Sequence, residues 1–270
     1  MNILITGATS GIGQQLVEDY LAEGHTVIAC GRNSQKLSEL EKKFAVVLEN
    51  AGSSPASGSG SEKKLSTLQF DVTDKRSVQT AMATLTSPVD VAILNAGVCE
   101  YIDDAQHFDS ALVERVFAAN FFGVIYCCEA LLPKLEEGSK LVVVESLARL
   151  LPFSRAQAYG GSKAAVHYFM QGLKTDLKGS GIKLITIAPG FVETPLTDKN
   201  DFEMPMKVSV TQASDSIRKG IDKGKNQIYF PLVFSWVMRL LHKLPAAMQL
   251  RLAQRMKQSE RTSNENSGSR

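Results

Sequence analysis

The stretch Ile3-Leu4-Ile5-Thr6-Gly7-Ala8-Thr9-Ser10-Gly11-Ile12-Gly13 decides the fold. A short apolar run stops at a glycine-rich turn, and an amphipathic segment to about Ala22 follows; this reads as strand, turn, helix. Glycines at 7, 11 and 13 let the backbone turn sharply and lie close to a ligand. The helix start behind them offers unpaired N–H groups to a phosphate. The spacing is GxxxGxG rather than GxGxxG, so the preceding strand supplies the context that three glycines alone lack.

The same alternation continues outward. His25-Thr26-Val27-Ile28-Ala29-Cys30 is a second apolar run, ending in Gly31-Arg32-Asn33, and residues 34–44 read as helical. Many dinucleotide sites carry an acidic residue at this strand end to bind a ribose. Here Gly31 is followed by Arg32, and a guanidinium suits the extra phosphate of NADP, so NADP is preferred and NAD left open. Leu68-Gln69-Phe70 runs into Asp71-Val72-Thr73-Asp74, a strand end and helix cap, and Val89–Leu94 stops at Asn95-Ala96-Gly97. A long helical segment over about 110–137 contains Asn120, which needs partners if buried. Leu141–Val144 leads to Glu145-Ser146, and Leu184–Ala188 ends at Pro189-Gly190 with Thr194 beyond. The expected fold class is α/β: a Rossmann-like, doubly wound parallel sheet with helices on both faces, forming one domain with a C-terminal helical extension. Ligands of such sheets bind outside the carboxyl ends of the strands, where Gly7, Arg32, Asp71 and Asn95 all fall.

Tyr159-Gly160-Gly161-Ser162-Lys163 reads either as the working face of a helix or as an ordinary helix surface, and the other segments decide between the two. On a helix, residues four apart share a face with β-carbons about 5–6 Å apart. A free tyrosine is ionised to only about a thousandth at neutral pH. An ammonium beside it favours the anion, which predicts a lowered pKa for Tyr159 and makes it a proton donor and acceptor.

Composition sets the outer limits. The 270 residues are 44% hydrophobic and 21% charged with a net charge of +2, so a sizeable core is expected, and no basic stripe points to nucleic acid. Cys30, Cys99, Cys127 and Cys128 lack zinc-site spacing and are expected reduced and buried; His25, His107, His167 and His242 lack metal-ligand spacing. The chain enters a strand directly after Met1, from which no signal peptide and a cytoplasmic address are expected.

Taken together, Thr6-Gly7-x-x-x-Gly11-x-Gly13, Asp71, Asn95-Ala96-Gly97, Asn120, Ser146, Tyr159-x-x-x-Lys163 and Pro189-Gly190-x-x-x-Thr194 resemble the short-chain dehydrogenase/reductase family over residues 2–196. The resemblance implies that Tyr159 passes the proton to or from the substrate oxygen, and that Ser146 polarises that oxygen. It implies that Lys163 lowers the tyrosine pKa and holds the nicotinamide ribose, while Asn120 holds a water in a proton relay. For the cofactor it implies the turn Thr6, Gly7, Thr9, Ser10, Gly11, Ile12 and Gly13 under the pyrophosphate, and Asp71 and Val72 beside the adenine. Asn95, Ala96 and Gly97 would line the adenosine side, and Pro189, Gly190, Val192 and Thr194 the nicotinamide. A homodimer or homotetramer built on the helices over 110–137 and 156–178 is implied as well. Glu145-Ser146-Leu147-Ala148-Arg149 departs from the family's usual paired serines, and Arg149 is expected to be solvated or to reach the cleft.

Residues 1–230 thus form the catalytic domain, with a Ser/Gly-rich flexible loop at about 50–61 and a substrate loop at about 191–210. In that loop Phe191, Phe202, Met204 and Met206 either line an apolar pocket or pin the loop. Residues 231–258 read as an amphipathic helical extension, expected to pack on the domain or a second subunit in preference to a membrane surface, and 259–270 as a disordered tail. The expected function is hydride transfer between NADP and a small-molecule carbonyl or alcohol. The alternatives are an NADP(H) sensor without turnover and a membrane-peripheral reductase of lipid-like carbonyls.

Overall fold

The computed structural model describes residues 1–50, 64–198, 200, 202 and 204–267. The loop expected at about 50–61 lies outside the described residues apart from Asn50. Seven parallel strands form the sheet: β1 (Asn2–Thr6), β2 (Thr26–Gly31), β3 (Leu65–Gln69), β4 (Val91–Leu94), β5 (Lys140–Val144), β6 (Lys183–Pro189) and β7 (Gln227–Phe230), in the spatial order 3-2-1-4-5-6-7. The order reverses between β1 and β4. Their carboxyl ends part there and leave a crevice.

Period-two alternation divides each strand between two cores. Ile3 and Ile5 point to one face, under α1 (Gly11–Ala22), α2 (Ser34–Asn50) and α7 (Val210–Asp222). Leu4 points to the other, under α3 (Lys75–Ala83), α5 (Gly123–Leu131) and α6 (Gln157–Asp176). Each such fully buried side chain contributes about 1.5–3 kcal/mol. Asp74 caps α3 as expected, accepting from the amides of Arg76 and Ser77.

The long helix expected over about 110–137 is divided into α4 (Ser110–Phe117), a π-helical turn Ala118–Phe122, and α5. The wider turn contains Asn120, which is completely buried, and Gly123 after it packs against Val72. Ser110–Lys134 is long and apolar enough to cross a membrane, but Val116, Val124, Cys127, Cys128 and Leu131 are buried in the core, which accounts for its apolarity.

After β7 come α8 (Leu232–Leu241) and α9 (Ala246–Ser267). Phe234, Met238, Leu241 and Leu252 pack against Leu147, Leu150 and Leu151 in a third, smaller cluster. The polar tail expected from Ser259 is helical as far as Ser267, continuing α9.

Candidate active site

At the carboxyl edge of the sheet the first turn is held by side-chain and backbone contacts rather than by loop length. Gly7 has φ 66°, and a β-carbon on it would stand 2.9 Å from the Ala96 backbone. A β-carbon on Gly13 would meet the Gly7 carbonyl oxygen at 2.2 Å. Thr6 is buried, and its hydroxyl accepts from the amides of Asn95 (3.0 Å) and Ala96 (3.1 Å), tying the ends of β1 and β4 together. The Asn95 side chain donates back to the Thr6 carbonyl at 3.2 Å. Ser10, the residue capping α1, makes no side-chain capping bond, so the first amides of the helix keep their donors for another acceptor.

These residues open onto a cleft lined by Gly7, Ser10, Gly11, Ile12, Asn95, Ala96, Gly97, Tyr159, Lys163, Pro189, Gly190, Val192 and Thr194, with Val144, Glu145, Pro195, Leu196 and Thr197. Thr6 and Gly13 lie behind it as support. Thr9 and Gly31 pack together at the β2 end. Exposed Arg32 follows them, beyond the cleft lining, and the half-buried Asp71 accepts from the Thr73 amide and hydroxyl. Uncapped helix amides, a glycine floor and Arg32 at the end of β2 fit the phosphates of a dinucleotide.

The spacing of Tyr159 and Lys163 is realised on α6. Lys163 is buried, donates to the Val144 carbonyl at 2.9 Å, and its Nζ lies 5.8 Å from the Tyr159 ring centre. Burial pulls the Lys163 ammonium down to about 8, opposed by Glu145 and Cys99. The lowered tyrosine pKa is not what the site shows. Burial first, then Cys99, pushes the Tyr159 phenol up to about 12, against the opposing hydrogen bond with Ser146. No ammonium opposes that desolvation, because Lys163, at about 8, is already neutral where the phenol titrates. Ser146 is buried at the end of β5, where its oxygen accepts from the Ala148 amide at 3.1 Å, leaving its O–H to donate elsewhere.

Asn120 is fully satisfied: Oδ1 accepts from the Val98 amide at 2.8 Å, and Nδ2 donates to the Val98 carbonyl (2.9 Å) and the Ser162 hydroxyl (3.0 Å). It fastens the π-helical turn to α6 and to the segment after β4.

Both expectations for Arg149 are overturned. Its side chain is 7% exposed and donates to Glu145 at 2.9 Å and to the Tyr229 hydroxyl at 3.3 Å. Glu145 is fully buried and also faces His167 Nδ1 at 3.0 Å. A carboxylate there requires partners, and Arg149 and His167 supply them. Pattern reading missed this cluster because its members converge from β5, its following turn, α6 and β7.

A second cavity adjoins Tyr159 on its other side. Ser146, Leu147, Phe153, Phe191, Leu196, Phe202, Phe234, Met238 and Met256 line it, with Cys99, Tyr101, Arg155 and Lys257 among its polar or ionisable members. Tyr101, Phe202, Phe191 and Phe234 form a chain of ring contacts at 5.8–6.0 Å. Of the four loop residues expected to line a pocket or pin the loop, Phe191 and Phe202 line it. Met206 is exposed, and Met204 meets Asn200 instead. Cys99 is half-buried in this lining rather than in the core, while Cys30, Cys127 and Cys128 are buried; all four are free. Among the described residues no cluster of His, Cys, Asp or Glu could hold a metal ion.

Comparison with known proteins shows the family and the fold. Residues 1–204 match the short chain dehydrogenase family model. A serine 3-dehydrogenase of Rhizobium radiobacter is 29% identical over 224 residues, 82% of this chain and 81% of that protein. An NADP-dependent 3-hydroxy acid dehydrogenase of Salmonella typhi is 29% identical over 197 residues, 71% of this chain and 73% of that protein. Among solved structures, a short chain dehydrogenase from Burkholderia cenocepacia in complex with NADP superposes with a TM-score of 0.75 at 20% identity, covering 93% of this chain and 96% of that one.

Proposed function

Because the chain belongs to the short-chain dehydrogenase family, enzymes that interconvert CH–OH and C=O groups with a nicotinamide cofactor, we propose that it is an NADP-dependent reductase of an apolar, small to medium carbonyl compound, or the dehydrogenase of the matching alcohol. One observation carries the reading: Tyr159 lines both the glycine-floored cleft and the apolar cavity, so its phenol stands where cofactor and substrate would meet.

The nicotinamide, when bound, supplies or accepts the hydride. The Tyr159 phenol donates its proton to the carbonyl oxygen, and at a pKa near 12 it enters the reaction protonated. The Ser146 hydroxyl donates to the same oxygen and stabilises the charge that develops there. Lys163, charged below about pH 8, holds the cofactor ribose and offsets negative charge on the phenol. Asn120 keeps the α6 face in register with the cleft through Ser162 and Val98. Gly7–Gly13 and the α1 amides hold the pyrophosphate, Asp71 and Val72 the adenine, and Arg32 the phosphate that distinguishes NADP from NAD. The NADP preference draws support from the named Salmonella relative and from the basic rather than acidic residue after Gly31.

A homo-oligomer built on the helical segments 110–137 and 156–178 fits their exposed aromatic residues, Phe122 of the π-helical turn at 46% and Tyr168 of α6 at 84% exposure.

The deciding experiment follows NADPH and NADH oxidation in parallel against aldehydes and ketones of increasing apolar length. Turnover with NADPH, lost by about a thousandfold in Tyr159→Phe with NADPH affinity retained, is expected. Arg32→Ala is expected to weaken NADPH roughly tenfold while sparing NADH. Tight NADPH binding with no turnover on any substrate would instead favour the sensor reading.

A further inference from the structure

Helix α8 has two apolar faces. Phe234 and Met238 turn inward and line the cavity beside Tyr159. Outward, Leu232, Val233, Trp236, Val237 and Leu240 are 74%, 63%, 65%, 39% and 51% exposed. Residues 233, 236, 237 and 240 follow the i, i+3, i+4, i+7 spacing, so they form one stripe. The expected packing of the extension on the domain therefore covers only the inner face of α8. A run of exposed apolar side chains this dense marks an interaction surface.

Charge identifies what covers it. From Lys223 to Ser259 the chain has seven Lys or Arg and no Asp or Glu, whereas the whole chain is nearly balanced at 30 against 28. Lys225 and Arg239 line the same shallow groove as Leu232, Val233 and Trp236. Arg239 lies over the Tyr229 ring at 4.8 Å, and Lys243 lies in the turn that follows α8. Among the described residues, Lys225, Arg239 and Lys243 form no ion pair. A second copy meeting this face two-fold would set these cations against themselves, with no carboxylate in the segment to pair them. At 10 residues α8 is far too short to span a bilayer. An apolar stripe with a tryptophan and a purely cationic border matches instead a helix lying in the interface of a membrane with anionic headgroups.

We propose that the outer face of α8 docks the protein on an anionic lipid bilayer, with Leu232, Val233, Trp236, Val237 and Leu240 among the acyl chains and Lys225, Arg239 and Lys243 at the headgroups. The inner face of the same helix forms a wall of the cavity, so docking sets that wall against the lipid. Where the cavity is the substrate site, this places substrate uptake at the membrane surface; that corollary rests on the catalytic reading, whereas the docking itself does not.

Trp236 is the sole tryptophan, so its emission reports the contact directly. The full chain is mixed with vesicles of phosphatidylcholine alone and of phosphatidylcholine with phosphatidylglycerol, and sedimentation and Trp236 emission are read together. Co-sedimentation and a blue shift with the anionic vesicles only, reversed by salt, are expected. Arg239→Glu and Val233→Glu should each lower partitioning roughly tenfold, with thermal unfolding and NADPH binding unchanged as proof of folding; Lys225→Glu provides an independent surface variant. Failure to sediment with anionic vesicles overturns the proposal. So does equal binding to both vesicle types. A blue shift that rises with protein concentration without lipid, together with a mass increase abolished by Val233→Glu, would assign the face to a second copy and likewise overturn it. None of these readouts depends on turnover, so loss of the catalytic reading would leave them intact.

Discussion

The glycine-floored cleft and the apolar cavity meet at Tyr159 and are built from different materials. The cleft is made of backbone: strand ends, glycines 7 and 13, and helix amides, locked by Thr6 and Asn95 across β1 and β4. Side chains make the cavity, contributed by segments near residues 99, 147, 155, 191, 202, 234 and 256. A backbone cradle tolerates little change because no rotamer can relieve a clash. A side-chain wall can repack, so it sets selectivity at small energetic cost.

Gly13→Val tests the rigid half and should have the largest effect. Its β-carbon has nowhere to go against the Gly7 carbonyl, so NADPH binding is expected to fall at least about a hundredfold, with a stability loss of about 1–3 kcal/mol. Calorimetric titration and thermal unfolding measure both, and unchanged binding would show that the turn is not held as tightly as the contacts imply.

Glu145→Gln tests the seam between the halves. Lys163 is charged below about pH 8 and neutral above it, and the Glu145 carboxylate raises that value. Removing the charge moves it down, so the loss of NADPH affinity on raising the pH should begin at lower pH than in the unaltered protein. An unmoved profile of NADPH dissociation against pH would separate Glu145 from Lys163 and leave it with Arg149 and His167 alone.

Met256→Ala tests the adaptable half and should have the smallest effect. The KM for a long apolar carbonyl substrate is expected to rise by about 10-fold, with the KM for NADPH and the kcat little altered. An equal rise for short and long substrates would mean that α9 closes the cavity without reading chain length.

The difference between the two halves also explains what could be read in advance. Strand, glycine turn and helix at Ile3–Gly13, and the four-residue spacing of Tyr159 and Lys163, are local patterns set by backbone geometry. The expected capping by Asp74 is local in the same way. Asn120 stands out in the sequence by its apolar neighbours, but the π-helical turn that buries it depends on Val98 and Ser162, 22 and 42 residues away. Met204 and Met206 resemble Phe191 and Phe202 in hydropathy and differ in where the loop places them, which no pattern within residues 191–210 encodes. Arg149 reads as solvated in the sequence because its partners, Glu145 and Tyr229, meet only when β5 and β7 flank β6.

The amino-acid sequence by itself determined the order of strands and helices, the glycine turn and the pairing of Tyr159 with Lys163, because each rests on neighbours a few bonds or one helical turn away. Only the tertiary structure decided the direction of the tyrosine pKa, the buried Glu145 cluster, the apolar cavity and the exposed outer face of α8. Each of these depends on how much water is excluded and which distant side chains arrive, and both are settled when the sheet and its covering layers close.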